Sequence, residues 1–147
     1  MGVGLLRNQQ APRGEILKHL SQCDRSLVKL QVSIDGATAE TNDRIRGKGS
    51  FADATAGLRE ASRLGFETSL TTAVTATNYD QLLQLTELAK ELGAKAQHLM
   101  WLHKRGRIIE DANTMFPDVP RLIDEVCAAR RIPPGFYRGF ASLEFGA

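Results

Sequence analysis

Cysteine is scarce in this sequence, and its two copies are far apart. Cys23 and Cys127 form no CxxC pair and no cluster with histidine. A disulfide framework or a structural zinc site needs several closely spaced thiols or imidazoles. Neither is expected here, and we predict two reduced thiols with a structural role.

Long apolar runs and a strong charge of one sign are absent as well. No stretch approaches the roughly 18 apolar residues of a membrane span, and the first residues lack the basic and apolar regions of a signal peptide. The net charge of +2 does not favour nucleic acid as a partner. We expect a cytoplasmic protein with neither a membrane nor a nucleic-acid partner. Its 147 residues, 42% hydrophobic and 24% charged, are typical of one soluble globular domain.

A strand pattern followed by a helix pattern occurs three times. The predicted strands are centred on Leu30 to Ile34, Phe66 to Val74 and Lys95 to Leu102, and the helices begin near Ser50, Asn78 and Pro120. Such alternation predicts a parallel sheet, and the chain is too short for a closed eightfold barrel. The expected fold class is α/β: a partial (β/α) barrel of about three βα units, with an open parallel sheet covered by helices on one face.

The helix ends and the domain limits follow from the same patterns. Ser50, with Asp53, and Asn78, with Gln81, have the spacing of N-terminal caps. Asp118 is the expected cap of the third helix, whose buried side is predicted to hold Leu122, Ile123, Val126 and Cys127. Residues 1–27 are predicted as a loose arm with a short helix, 28–131 as the βα domain and 132–147 as an irregular tail.

The alternation of side chains assigns a polar face to the sheet. If Leu30, Val32 and Ile34 face the helices, then Gln31, Ser33 and Asp35 point the other way. The next strand repeats this arrangement, with Ser69, Thr71, Ala73 and Thr75 on the polar side. This face is either the solvated outside of an open sheet or the lining of a wet cavity for a polar ligand.

The first strand ends in the sequence VSIDG and continues into a polar segment that holds two arginines. Ligands of barrels and doubly wound sheets bind at the carboxyl ends of the strands. Asp35 can accept hydrogen bonds from a diol or an ammonium group, and Arg44 or Arg46 can hold a carboxylate through two hydrogen bonds. An isolated Asp-Gly pair is also an ordinary turn signal. We predict a loop from Gly36 to Gly49 that carries these groups.

Two other segments allow two interpretations each. Gly47 to Ser50 is not a P-loop; it is either a flexible loop with a helix cap or an anion site at a helix start. His98 is predicted to be a packed or cavity-lining side chain and Trp101 a core residue, rather than metal ligands. The basic run KRGR at residues 104–107 is either a solvated loop or a guide for an acidic substrate.

Four segments together resemble the second half of the radical S-adenosylmethionine (radical SAM) core, of the type that often carries a SPASM extension. They are VSIDG, IRGKGSF, TTAVTATN and HLMWLHKRGR, and the resemblance spans about residues 28–107. It implies that Ser33 and Asp35 help to position SAM and that Arg46 reaches the SAM carboxylate. It also implies that Val74 to Asn78 lie near adenine or substrate.

The same resemblance makes the missing cysteines significant. Radical SAM enzymes hold a [4Fe–4S] cluster through a CxxxCxxC loop, and the cluster supplies the electron that cleaves SAM and starts hydrogen abstraction. Neither this loop nor the glycine-rich GGEP strand is present. We therefore predict a truncated radical SAM oxidoreductase-like fragment, whose full-length parent binds the [4Fe–4S] cluster and acts on a substrate such as a peptide. Its expected partners are SAM, that peptide, and either a second copy or the missing N-terminal half.

Two alternatives remain open at this point. One is a non-catalytic α/β interaction module that pairs with another chain through its open sheet edges. The other is a barrel fragment that binds a small anion at Ser50.

Overall fold

The computed structural model describes residues 19–101 and 119–130. Within these ranges three strands form one sheet, in the order β1 (Lys29–Ser33), β2 (Glu67–Val74) and β3 (Ala96–Trp101). Both strand pairs are parallel. The helices are α1 (Ala39–Arg46), α2 (Ser50–Arg63), α3 (Leu82–Glu91) and α4 (Val119–Arg130), and a 3₁₀ turn at Tyr79–Gln81 precedes α3.

The predicted fold class is confirmed. Each parallel connection passes through a helix, as parallel strands require. The main core lies between the sheet and helices α2, α3 and α4, and its fully buried members include Ile34, Leu58, Leu70, Val74 and Leu85. Among the described residues, no helix is both long and apolar enough to cross a membrane.

The alternation of β1 and β2 is also as predicted. Leu30 and Ile34 are buried on the helix side, whereas Gln31 is exposed on the other. On β2, Leu70, Thr72 and Val74 are buried at 0–1% exposure. Thr72 satisfies its buried hydroxyl by donating to the main-chain oxygen of Ile34 at 2.8 Å. A hydroxyl on the core side is therefore tolerated because the neighbouring strand end supplies an acceptor.

The predicted loop after β1 is wrong, because residues 39–46 form helix α1. Thr38 is the N-cap, with extended backbone angles, and its hydroxyl accepts from the Thr41 N–H at 3.3 Å. The segment has few apolar residues, so its periodicity gave no helix signal. The helix ends at Gly47, whose positive φ of 102° is a conformation that favours glycine.

The predicted helix caps are partly wrong. Ser50 is the first residue of α2 and not its cap, since Gly49 (φ 83°) holds that position. Asn78 precedes the 3₁₀ turn but makes no capping hydrogen bond to it. The predicted helix ends at Gly65 and Gly93 are confirmed, with φ of 83° and 84°.

The third predicted helix is observed, with one side less buried than expected. Leu122 is buried and Val126 packs against the core. Ile123 is 53% exposed and Cys127 is exposed, so these two predictions are wrong. Asp118, Trp101's side chain, the basic run at 104–107, the tail from 131 and most of the N-terminal arm lie outside the described residues.

Candidate functional site

The predicted site lies where β1 and β2 end, under helix α1. The packing of Gly36 sets the distance between the strand end and this helix. A Cβ on Gly36 would lie 2.4 Å from the main-chain nitrogen of Asn42 and 2.7 Å from the Cβ of Thr41. Only glycine therefore lets α1 approach the end of β1 this closely.

Asn42 fastens α1 to the strand end through both atoms of its amide. It is fully buried. Its Oδ1 accepts from the Asp35 N–H at 2.8 Å, and its Nδ2 donates to the Ser50 hydroxyl at 2.9 Å. One side chain thus joins β1, α1 and α2. Nothing in the sequence pattern singled out this residue, because a buried asparagine on a short polar helix looks like any surface residue.

Asp43, on the same helix, provides the cap that α2 lacks. Its carboxylate accepts from the main-chain N–H groups of Gly49 at 2.6 Å and Phe51 at 2.8 Å, and from the Ser50 hydroxyl at 3.1 Å. The N–H groups of Phe51 and Gly49 hold the pKa of this carboxyl below its ordinary value. The Gly47 to Ser50 segment is therefore ordered by an internal carboxylate, which occupies the amides that an external anion would need.

Asn78 joins the ends of β1 and β2. It is fully buried. Its Nδ2 donates to the carbonyl oxygens of Asp35 at 2.7 Å and Ala73 at 2.9 Å, and its Oδ1 accepts from the Thr75 N–H at 2.7 Å. The predicted ligand contact at Asn78 thus falls on a side chain whose hydrogen-bonding groups serve the protein.

Asp35 is the charged centre of the site. It is 3% exposed. Its Oδ1 accepts from the Ala73 N–H at 2.8 Å, and its Oδ2 lies 2.6 Å from Nε of Arg46. Arg46, whose side chain is 36% exposed, therefore reaches back from the last turn of α1 to the end of β1. Arg44, on the same helix, is exposed and does not join this contact.

Ser33 and Val74, the other two predicted site residues, lie on opposite sides of the sheet. Ser33 is half-buried on the polar side, beside Thr71 of β2, which is in turn beside His98 of β3. Gln31 donates through its Nε2 to the Thr71 hydroxyl. The side chain of Val74 is buried in the helix-facing core, so only its main chain is placed to meet a ligand.

The polar face has mostly small side chains. Ser33, Ser69, Thr71, Ala73 and Ala96 line it, with His98 and Met100 as the larger groups on β3. A filled barrel carries branched apolar residues in this position. Small polar groups leave room for a ligand instead.

A concavity lies at the opposite, amino end of the strands. It is an open cleft of about 700 Å³ whose polar lining includes Lys29, Glu67, Ser69, Lys95 and His98. Lys29 and Glu67 form an exposed ion pair there at 2.9 Å. This cleft shares Ser69 and His98 with the polar face and extends it to the amino end of the strands, whereas the sequence pattern pointed only to the carboxyl end.

The cysteines do not fit an iron–sulfur cluster. A [4Fe–4S] cluster of the CxxxCxxC kind needs three thiolates from one loop, and this sequence has two cysteines in all. Cys23 and Cys127 are free and exposed on separate segments. Within the described ranges, no group of three or more histidine, cysteine or acidic side chains is arranged to hold a metal ion.

Comparison with known proteins agrees with the fold and the motifs. The chain is 38% identical over 96 residues to the AdoMet-dependent heme synthase of Methanosarcina barkeri, covering 65% of this chain and 28% of that protein. It is 39% identical over 95 residues to the mycofactocin maturase MftC of Mycolicibacterium smegmatis, covering 64% and 24%. The chain thus spans about a quarter of the length of these curated relatives. No family model matches the sequence.

Solved structures of SuiB from Streptococcus suis share the fold. One matches with a TM-score of 0.61 at 12% identity, over 86% of this chain and 30% of SuiB. A second, of SuiB bound to S-adenosylmethionine, matches with a TM-score of 0.59 at 11% identity, over 84% and 27%. Together with the sequence relatives, these matches confirm the predicted resemblance to a radical SAM core domain.

Proposed function

We propose that this chain forms the SAM-binding half-site of a radical SAM protein and holds the amino-acid end of SAM at the carboxyl ends of β1 and β2. The observation that carries the proposal is Arg46, whose guanidinium is fixed at that edge by Asp35 at 2.6 Å and remains 36% exposed. A guanidinium in this position is suited to a carboxylate. The AdoMet-dependent relative and the SAM-bound form of SuiB support the choice of ligand.

The remaining site residues fit the rest of the ligand. The Ser33 hydroxyl faces the polar side of the sheet, next to Thr71 on the adjacent strand. It supplies a donor and an acceptor for ribose or the amino-acid group. The segment from Val74 to Asn78 starts at the last residue of β2, at the same edge, and offers main-chain groups to adenine. The hydrogen bonds of the buried residues Asp35 and Asn78 hold this edge of the sheet in place.

The chemical step of the family needs a group that this chain does not supply. When bound to a full-length radical SAM protein, the cluster provides the electron that cleaves SAM. Here the residues present bind and orient SAM, and the cluster ligands belong to another segment or chain. A peptide is the proposed substrate of the complete protein, because one structural neighbour is SuiB bound to its precursor peptide SuiA.

Calorimetric titration of the chain with SAM tests the binding proposal. We expect saturable 1:1 binding that Arg46→Ala weakens about tenfold, the loss associated with one charged hydrogen-bonding partner. Arg44→Ala is the matched control, since it removes an exposed arginine two residues away on the same helix. Equal losses of SAM affinity in both variants would show that SAM binding depends only on the general positive charge of α1.

Anaerobic incubation of the chain with iron, sulfide, reductant and SAM tests the second half of the proposal. The expected yield of 5′-deoxyadenosine equals that of a control without protein. A yield above this control would overturn the assignment of the cluster ligands to another segment.

A second candidate function rests on the sheet edges. β1 and β3 each have one strand neighbour among the described residues, and unpaired strand edges favour pairing with another chain. Sedimentation equilibrium decides this: a monomer across the micromolar range argues against an interaction module that pairs with itself.

A further inference from the structure

Both oxygens of the Asp35 carboxylate have a partner within the protein. Its Oδ1 accepts from the Ala73 N–H at 2.8 Å and its Oδ2 pairs with Nε of Arg46 at 2.6 Å. The side chain is 5% exposed. This burial leaves a ligand diol or ammonium group little access to the carboxylate. The direct ligand contact expected for Asp35 is therefore not what this arrangement favours.

Arg46 keeps a different set of donors available. The ion pair occupies Nε, and among the described residues no other partner of the guanidinium is recorded. A guanidinium carries further N–H donors on its two terminal nitrogens, in a rigid plane. Those two nitrogens can hold a carboxylate bidentately while Nε remains on Asp35.

Both partners are mounted on rigid elements. Asp35 follows β1 directly, and its main-chain N–H and carbonyl are fixed by Asn42 and Asn78. Arg46 is the last residue of α1, and Asn42 ties this helix to the strand end. The plane of the guanidinium is thus set before any ligand arrives.

We propose that Asp35 is a positioning residue: it orients the Arg46 guanidinium so that its terminal nitrogens receive the carboxylate of the ligand. This inference rests on the proposed function, in which that carboxylate belongs to SAM. In this proposal Asp35 does not contact SAM directly but affects SAM binding through Arg46. Orientation in advance improves affinity because the arginine loses less freedom on binding.

Two ligands separate positioning from a general structural role. SAM carries the amino-acid carboxylate, and 5′-methylthioadenosine has the adenosine and sulfur without the amino-acid group. Asp35→Asn keeps the shape and the acceptor for Ala73 but removes the charge facing Arg46. We expect it to weaken SAM about fivefold to tenfold and to leave 5′-methylthioadenosine unchanged.

The matched controls come from the same chain. Glu67→Gln removes a carboxylate from the exposed ion pair with Lys29, at the other end of the sheet, and should change neither affinity. The double variant Asp35→Asn, Arg46→Ala should bind SAM no more weakly than Arg46→Ala alone, because Asp35 acts through the arginine. Arg46→Lys keeps the positive charge beside Asp35 but lacks the planar pair of terminal nitrogens, and it should lose SAM affinity as Arg46→Ala does.

Equal weakening of both ligands by Asp35→Asn would overturn the proposal, and so would unchanged SAM affinity. A separate readout needs no ligand: the Arg46 Nε–H should exchange slowly with solvent in the NMR spectrum of the free chain, and rapidly in Asp35→Asn. If the wild-type chain shows slow exchange but no SAM binding, the proposed function fails while the orienting contact stands. Rapid exchange in the wild type refutes the orienting contact itself.

Discussion

The side-chain amide of Asn78 donates to the carbonyl oxygen of Asp35 at 2.7 Å, although 43 positions separate the two residues. A second bond, 2.9 Å long, runs from the same amide to the Ala73 carbonyl. One buried side chain therefore closes the gap between the ends of two parallel strands. The candidate site depends on these two hydrogen bonds, because they fix the positions of Asp35 and of the segment after β2.

Replacing Asn78 with alanine should destabilise the chain by about 2–4 kcal/mol. The estimate counts two donated bonds and one accepted bond at a fully buried position, with partners left unsatisfied. Urea unfolding followed by circular dichroism measures the change. Thr77→Ala, one residue earlier and exposed, is the control and should cost much less. A loss below about 1 kcal/mol for Asn78→Ala would show that the strand ends do not depend on this amide.

Gly36 and Gly57 provide a matched pair of glycine-to-alanine changes. At Gly36 the new Cβ would meet the Asn42 nitrogen at 2.4 Å, so the backbone must move, and we expect a loss of about 3 kcal/mol. At Gly57, inside α2, the new Cβ meets nothing within 4 Å, and alanine should stabilise by about 0.5–1 kcal/mol. Thermal unfolding of the two variants checks both signs. Similar effects at both positions would contradict the close approach of α1 to the strand end.

The Asp43 cap should make the stability of the chain depend on pH. Hydrogen bonds from the Phe51 and Gly49 N–H groups lower the folded-state pKa of this carboxyl. A lowered pKa means that the contribution is complete above the unfolded value, about 3.9, and is lost as pH falls through the lower, folded value. The free energy of unfolding should therefore fall with acid below about pH 4.

Asp43→Asn isolates that contribution. The variant should be less stable at neutral pH and should lose less stability than the wild type between about pH 5 and pH 2. Glu87→Gln removes an exposed carboxylate on α3 and serves as the control. If Asp43→Asn and the wild type show parallel pH profiles, the carboxylate does not cap α2 in solution.

The sequence predicted the layers of this fold because side-chain alternation and burial reflect the same physical constraint. Leu30 and Ile34 had to face the helices, and they do. Gly65 and Gly93 ended helices as their left-handed conformations allow. Helix α1 was missed because its stability comes from contacts with neighbouring elements, such as those of Asn42 with Asp35 and Ser50, and not from an apolar stripe.

The candidate site shows the same division. The sequence predicted that Ser33 and Asp35 lie at a strand end, since parallel strands place their carboxyl ends together. The hydrogen-bond partners of these residues could not be predicted. Nothing in the local sequence indicates that Asn78 bonds to Asp35, or that Asp43 rather than Ser50 caps α2. Residues that join elements far apart in sequence leave no periodic signal.

The central claim is that SAM binds at the carboxyl ends of the strands. Amide NMR spectra of the ¹⁵N-labelled chain, recorded during titration with SAM, test it most directly because the structure offers a competing cleft at the other end. The account predicts saturable shift changes centred on Ser33, Arg46 and residues 73–78, with Glu67 and Lys95 unmoved. Shift changes centred on Glu67, Lys95 and the rest of the amino-end cleft, or none at all, would contradict it.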